Sequence, residues 1–123
     1  KMPKGGAMVW YFPDGHLPEK GPGKMEAHEA LMLLNTGAEA VDVLIDVYWE
    51  DKPPVKDIPV RVEAERIRTL RLDKPSDLNG LAIPPLTQYS LRIRASKPIV
   101  AQFGRLDTTQ DNMAYYLGTP YWE

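Results

Sequence analysis

The sequence has no cysteine, only two histidines, and no uninterrupted apolar run of the length a membrane-crossing helix needs. Without cysteine there can be no disulfide, no thiolate metal site and no cysteine nucleophile. The expected setting is the reducing cytoplasm. A surplus of charge of one sign is also missing. Fifteen Lys and Arg stand against seventeen Asp and Glu, a formal net charge of −2, so the whole chain exerts no pull on nucleic acid or an anionic membrane. The start, Lys1 to Gly6, is basic and runs into Met8-Val9-Trp10-Tyr11-Phe12. That stretch is too short for a signal-peptide core, and no small-residue cleavage site follows it.

Punctuation, by contrast, is abundant. Twelve prolines and nine glycines cut the 123 residues into pieces too short for a helical bundle and suited to strands joined by turns. At 43% apolar and 26% charged, the composition is that of one globular domain, residues 1–123. The clearest segment is Val41 to Glu50, where Val41, Val43, Ile45, Val47 and Trp49 alternate with Asp42, Leu44, Asp46 and Tyr48. Period two with β-branched residues on one side predicts a strand with one buried face. Ile58, Val60 and Val62 alternate likewise, and Ile67 to Leu72 gives another short strand.

Met8 to Phe12 reads as a first strand, ended by the turn Pro13-Asp14-Gly15. Ala27 to Leu34 carries helical propensity but is assigned as a strand because Asn35-Thr36-Gly37 stops it abruptly. Tyr89 to Ala95 and Ile99 to Phe103, joined by Ser96-Lys97-Pro98, read as a hairpin. Asp107 to Asn112 reads as a capped turn or a single helical turn, and a last strand is expected near Ala114 to Leu117. His16 to Met25 and Lys74 to Leu86 are loops. About eight strands and no βαβ unit predict an all-β fold, an antiparallel β-sandwich or jelly-roll-like barrel.

Catalytic patterns are missing. His28-Glu29 lacks the second histidine of H-E-x-x-H; His16, His28, Glu29 and Asp14 could in principle be gathered around a metal, but His28 more simply anchors a strand end. No serine sits in a G-x-S-x-G elbow, and the glycine-rich Lys4-Gly5-Gly6 and Lys20-Gly21-Pro22-Gly23-Lys24 both lack P-loop order. No metal or cofactor is expected, and the protein is read as non-enzymatic. Arg66 and Arg68 in one strand and Arg92 and Arg94 in another would make a nucleic-acid patch if the strands were neighbours. A solvated face with Glu63 and Glu65 as partners fits the acidic balance better. Aromatics gather at the two ends, Trp10-Tyr11-Phe12 and Tyr115, Tyr116, Tyr121, Trp122. An aromatic ring beside fixed polar groups suits a sugar or another polar ring. The residues for such a site are Trp10, Asp14, His28, Glu29, Asn35, Gln102, Arg105 and Asp107.

Several strings, in order, resemble the sensory rhodopsin transducer family of small prokaryotic β proteins. They are Trp10 with Asp14-Gly15-His16-Leu17-Pro18, His28-Glu29 leading to Leu34-Asn35-Thr36-Gly37, and Tyr48-Trp49-Glu50-Asp51-Lys52 with Pro54. Ala64-Glu65-Arg66 follows, and then the most distinctive, Ser96-Lys97-Pro98-Ile99-Val100-Ala101-Gln102 with Arg105-Leu106-Asp107-Thr108 and Gln110. Together they span about residues 10 to 110, and the extreme C-terminus matches less well. His16 departs from the pattern, where a tyrosine is typical.

The resemblance implies an antiparallel β-sandwich assembling as a homotetramer. It also implies a small-molecule-binding domain, with carbohydrate-like ligands proposed for the family. The family's namesake relays a signal from a membrane photoreceptor and has been linked to DNA binding. A family name does not carry a partner with it, so no rhodopsin is assigned. The leading expectation is a sensing domain for a small polar, sugar-like molecule, working in signal transduction with a protein partner. A signalling adaptor or DNA-binding protein is the alternative.

Overall fold

The computed structural model describes residues 4–123. The beginning of the basic start, residues 1–3, lies outside them. Among the described residues the chain forms β1 (Ala7–His16), β2 (His28–Asn35), β3 (Val41–Trp49), β4 (Val55–Val62), β5 (Arg66–Arg71), β6 (Gln88–Asp107), β7 (Ala114–Leu117) and β8 (Tyr121–Trp122). Every pairing is antiparallel. One sheet runs β4-β3-β6-β1-β8, and the other is built from β5, β2, the second half of β6, and β7. The arrangement is an open β-sandwich; it does not close into a barrel.

Alternation writes the core. Val41, Val43, Ile45 and Val47 of β3, Leu91 and Ile93 of β6, and Leu31 and Leu33 of β2 are all buried in one cluster. Each such side chain withdrawn from water contributes about 2 kcal/mol. Phe12 from the first sheet meets Phe103 from the second, with ring centroids 5.8 Å apart. His28–Asn35 is a strand, as its abrupt stop predicts.

The expected hairpin is not formed. Ser96 to Pro98 does reverse the chain, but the two halves of β6 do not pair with each other. Residues 88–95 lie between β1 and β3, Ile99 still pairs with Ala7 of β1, and residues 100–107 pair with β2 and β7. Tyr89 and Arg105, near opposite ends of β6, both bond to Glu29, so β6 arches across the core from one sheet to the facing one. A tight hairpin needs positive φ at its turn, and none of residues 96–98 has it. Pro98 has no ladder partner, so its missing N–H costs the sheets nothing.

Three further local points are decided by the structure. Pro13-Asp14-Gly15 does not end β1; the strand continues to His16 through a register shift between Phe12 and Gly15 that absorbs the proline. Of the two readings of Asp107 to Asn112, the capped turn is the one formed, with no helical turn. Asp107 Oδ1 accepts from Thr109 N at 2.8 Å and Thr109 Oγ1 at 2.6 Å, a side-chain-capped turn. The C-terminal Tyr121–Trp122 adds β8 along β1, where Val9 and Glu123 exchange backbone hydrogen bonds at 2.9 and 3.0 Å.

Candidate functional site

The site grows from one buried carboxylate. Glu29 is the second residue of β2, where the alternation points it into the sandwich, and it is fully buried. A bare carboxylate there would be prohibitively costly, so every lone pair must find a donor. The register supplies them. Glu29 lies opposite Arg105 on β6, whose Nε donates to Glu29 Oε2 at 2.8 Å. Tyr89 donates its hydroxyl to Oε1 at 2.5 Å, and the His16 backbone N–H points between the two oxygens, 3.1 and 2.9 Å away. The Tyr89 ring passes so close over Gly15 that a Cβ on that residue would lie 2.4 Å from it. Glycine is therefore required at position 15 for packing, not for a turn.

Arg105 is the exposed end of this construction. Its Nη2 donates to the Asp14 carbonyl at 3.0 Å and lies 3.6 Å from the Asp14 carboxylate. Burial disfavours the Arg105 charge, but the hydrogen bond and charge of Glu29 outweigh it and raise the guanidinium pKa. Gln88 Nε2 donates to Asp14 Oδ1 at 3.1 Å; that bond, aided by Arg105, holds the Asp14 carboxyl below its ordinary range. Burial, then the Glu29 charge, push the Tyr89 hydroxyl far above the usual tyrosine range, so it remains a donor.

Arg105 lines a cleft of about 280 Å³ together with His16, Leu86, Asp107, Thr109 and Tyr116. Pro18 and Glu19 complete the rim. Leu86 is 54% exposed with φ +58°, a conformation leucine rarely adopts; its N–H is pinned to the Leu17 carbonyl at 2.8 Å. Strain and exposure of an apolar residue thus coincide at the cleft's lip.

Of the residues singled out in the sequence, the fold brings together Asp14, Glu29, Arg105 and Asp107. It leaves four elsewhere. Trp10 is not a free ring; it is buried, stacks on Phe12, and its Nε1 donates to the carbonyls of Ile99 and Ala7 at 3.1 and 3.2 Å. Asn35 is consumed as a corner, its Nδ2 donating to the carbonyls of Glu39, Val62 and Glu63 and its Oδ1 accepting from Gly37 N. His28 Nδ1 lies 3.0 Å from the Glu26 carbonyl, and Gln102 sits exposed opposite Met32 on the outer face of the second sheet.

The arginines divide as well. Arg66 and Arg68 are on β5 of the second sheet, while Arg92 and Arg94 are on the first and both bond to Asp46, so one chain does not join them into a patch. Glu63 pairs with Arg61 at 2.9 Å, not with the β5 arginines. Sequence reasoning missed Tyr89, Leu86, Thr109 and Tyr116. Tyr89 carries the alternation of a core strand, and nothing local marks its hydroxyl as a ligand of Glu29.

By fold and site, then, the chain is a two-sheet antiparallel β-sandwich with a polar cleft built on one buried ion pair. It belongs to the Anabaena sensory rhodopsin transducer family, whose model matches residues 5–122. The match reaches through the C-terminus, beyond the motifs legible in the sequence. A crystal structure of Thermotoga maritima 1070 is similar, with TM-score 0.81 and 35% identity over 96% of each chain. The Anabaena sensory rhodopsin transducer is also similar, with TM-score 0.68 and 35% identity over 80% of this chain and 93% of that one. No curated protein sequence matches the chain. Family membership is compatible with a role in signal transduction. Among the described residues, no helix is long and apolar enough to cross a membrane.

Proposed function

We propose that this protein is a non-enzymatic cytoplasmic sensor that binds a small, neutral, sugar-like molecule at the Arg105 cleft and passes the signal to a protein partner. The observation that carries this reading is the ion pair itself. Glu29, Tyr89 and the His16 N–H fix Arg105 rigidly at the edge of a preformed cleft, as a binding site requires. Tyr116, half exposed, offers a ring face, and Asp107, Thr109 and Glu19 offer hydrogen-bonding groups around it. Glu29 and Asp14 already balance Arg105, while Glu19 and Asp107 leave the lining acidic. That balance favours neutral polyols over anions.

The test is calorimetry and thermal shift against neutral sugars and the matching sugar acids. Neutral sugars should raise the melting temperature, with the shift lost in Tyr116→Ala. A panel in which nothing binds, or in which sugar acids bind better, overturns the reading.

We infer also that the chain works as a homotetramer. On the outer face of the second sheet, Ile67, Leu34 and Val100 stand in one cross-strand row and are 61%, 39% and 39% exposed. Such a row is suited to burial against another subunit. Light scattering should give four chains per particle and a smaller particle for Leu34→Glu; a wild-type monomer at all concentrations removes the inference.

A further inference from the structure

The outer face of the first sheet contains a second construction that the Arg105 cleft does not use. Asp46 occupies an outward position on β3, between Ile45 and Val47, and should be solvated. It is instead fully buried beneath Arg92 and Arg94. Arg94 donates from Nε and Nη2 to the Asp46 carboxylate at 3.0 and 2.7 Å, and from Nη2 to Asp57 at 2.5 Å. Asp57 sits in the register shift of β4 at φ +64°, and its N–H reaches Asp46 Oδ1 at 2.9 Å. A strained non-glycine residue and a buried carboxylate are thus both spent on a solvent-facing sheet surface. Buried ion pairs of this kind add little stability compared with apolar packing, but they fix geometry.

What they fix is Arg92. It donates Nε to Asp46 at 2.8 Å, its terminal nitrogens donate to no carboxylate or carbonyl among the described residues, and it faces the Tyr11 hydroxyl, which itself donates to Glu123 at 3.0 Å. The guanidinium lies 5.9 Å from the Tyr48 ring centroid. On its other side Tyr11 is the cross-strand neighbour, and the Tyr11 ring lies 5.9 Å from that of Tyr121 on β8. Tyr11, Tyr48, Tyr121, Ser90 and Arg92 line an open groove of about 440 Å³. Ser90 is turned away from being a free donor, because its hydroxyl donates to the Pro13 carbonyl at 2.7 Å. The groove therefore combines three aromatic walls with one oriented arginine whose terminal nitrogens are not committed to a carboxylate.

We propose that this groove is a second binding site, separate from the Arg105 cleft, for a small anionic molecule with a flat apolar body. Its carboxylate takes the terminal nitrogens of Arg92, and its ring lies against the tyrosines. The fork matches a planar carboxylate bidentately, which a neutral isostere cannot reproduce. The groove depends on the last strand lying back on β1, since Tyr121 is one of its walls.

Benzoate and its neutral isostere benzamide are the probes, titrated against ¹⁵N-labelled protein while backbone amides are followed. Benzoate should bind at least about tenfold tighter than benzamide. The shifted amides should be those of Tyr11, Ser90 and Tyr121. Arg92→Gln should abolish the preference for the anion, and Tyr48→Ala should weaken both compounds. Arg94 still pairs Asp46 in Arg92→Gln; should that variant lose its dispersed spectrum, Arg92→Lys keeps the charge, removes the fork and must still reduce the preference. Equal affinities, no binding of benzoate, an anion preference that survives loss of the fork, or shifts confined to residues around Arg105 each overturn the proposal. Failure of the sugar panel at the Arg105 cleft leaves these outcomes unaffected, so the two sites fail separately.

Discussion

Arg105→Met isolates the energetic role of the buried pair. Methionine retains an apolar stem of similar reach, so packing is largely kept and the charge is removed. Glu29, fully buried, then keeps the Tyr89 hydroxyl and the His16 N–H but has no countercharge. Breaking one partner from a buried ion pair costs about 3 to 5 kcal/mol, and the surviving hydrogen bonds put this case at about 3 kcal/mol. With a urea slope of about 1.5 kcal/mol/M, the unfolding midpoint falls by about 2 M.

The double variant Glu29→Gln/Arg105→Met tests the cause. A neutral amide still accepts from Tyr89 and carries no charge to desolvate, so it should restore at least about 1 kcal/mol relative to Arg105→Met alone. Urea melts of wild type, both single variants and the double variant complete the cycle. A loss below about 1 kcal/mol for Arg105→Met, or a cycle additive within about 0.5 kcal/mol, would refute the claim that an uncompensated buried charge is the cost.

Other sites give independent checks. Gly15→Ala places a Cβ 2.4 Å from the buried Tyr89 ring, which is tethered to Glu29, and should cost about 2 kcal/mol by urea melt. Asn35→Ala strips donors from the carbonyls of Glu39, Val62 and Glu63 and should cost about 2 kcal/mol; a neutral result would mean water replaces the side chain. Asp46 has an acid-side signature. Burial alone would raise its pKa, but the hydrogen bonds of Arg94, the Asp57 N–H and Arg92 outweigh it and lower the native value below the ordinary 3.8. A depressed native pKa contributes stability that is fully present above the unfolded value and lost as pH falls through the native one. Stability should therefore drop on acidification below about pH 4, and the drop should be shallower in Asp46→Asn; an unchanged acid limb would show that Asp46 is not linked to it.

The strands were legible because period two is a local property. Val41, Val43, Ile45 and Val47 declare a buried face regardless of what packs on it, and the alternation Tyr89-Leu91-Ile93 does the same. The same local property misled at Ser96-Lys97-Pro98. Alternation on both sides of a reversal is identical for a hairpin within one sheet and an arch between two, and only pairing with β2 rather than with itself separates them.

The candidate site was half legible. Polar residues clustered near strand ends pointed to Asp14, Glu29, Arg105 and Asp107, which the fold does bring together. Trp10 and Asn35 shared those motifs and proved to be packing and corner residues, because a motif records that a residue matters and not whether its side chain faces water.

The sequence by itself determined an antiparallel all-β chain, most of its strand positions and its family, since these follow from local periodicity, turn residues and motif order. Only the tertiary structure decided that Glu29 and Asp46 are buried and which arginines hold them. Whether a carboxylate can leave water depends on the donors that distant strands deliver to it, and their identity is set by register across the sheets.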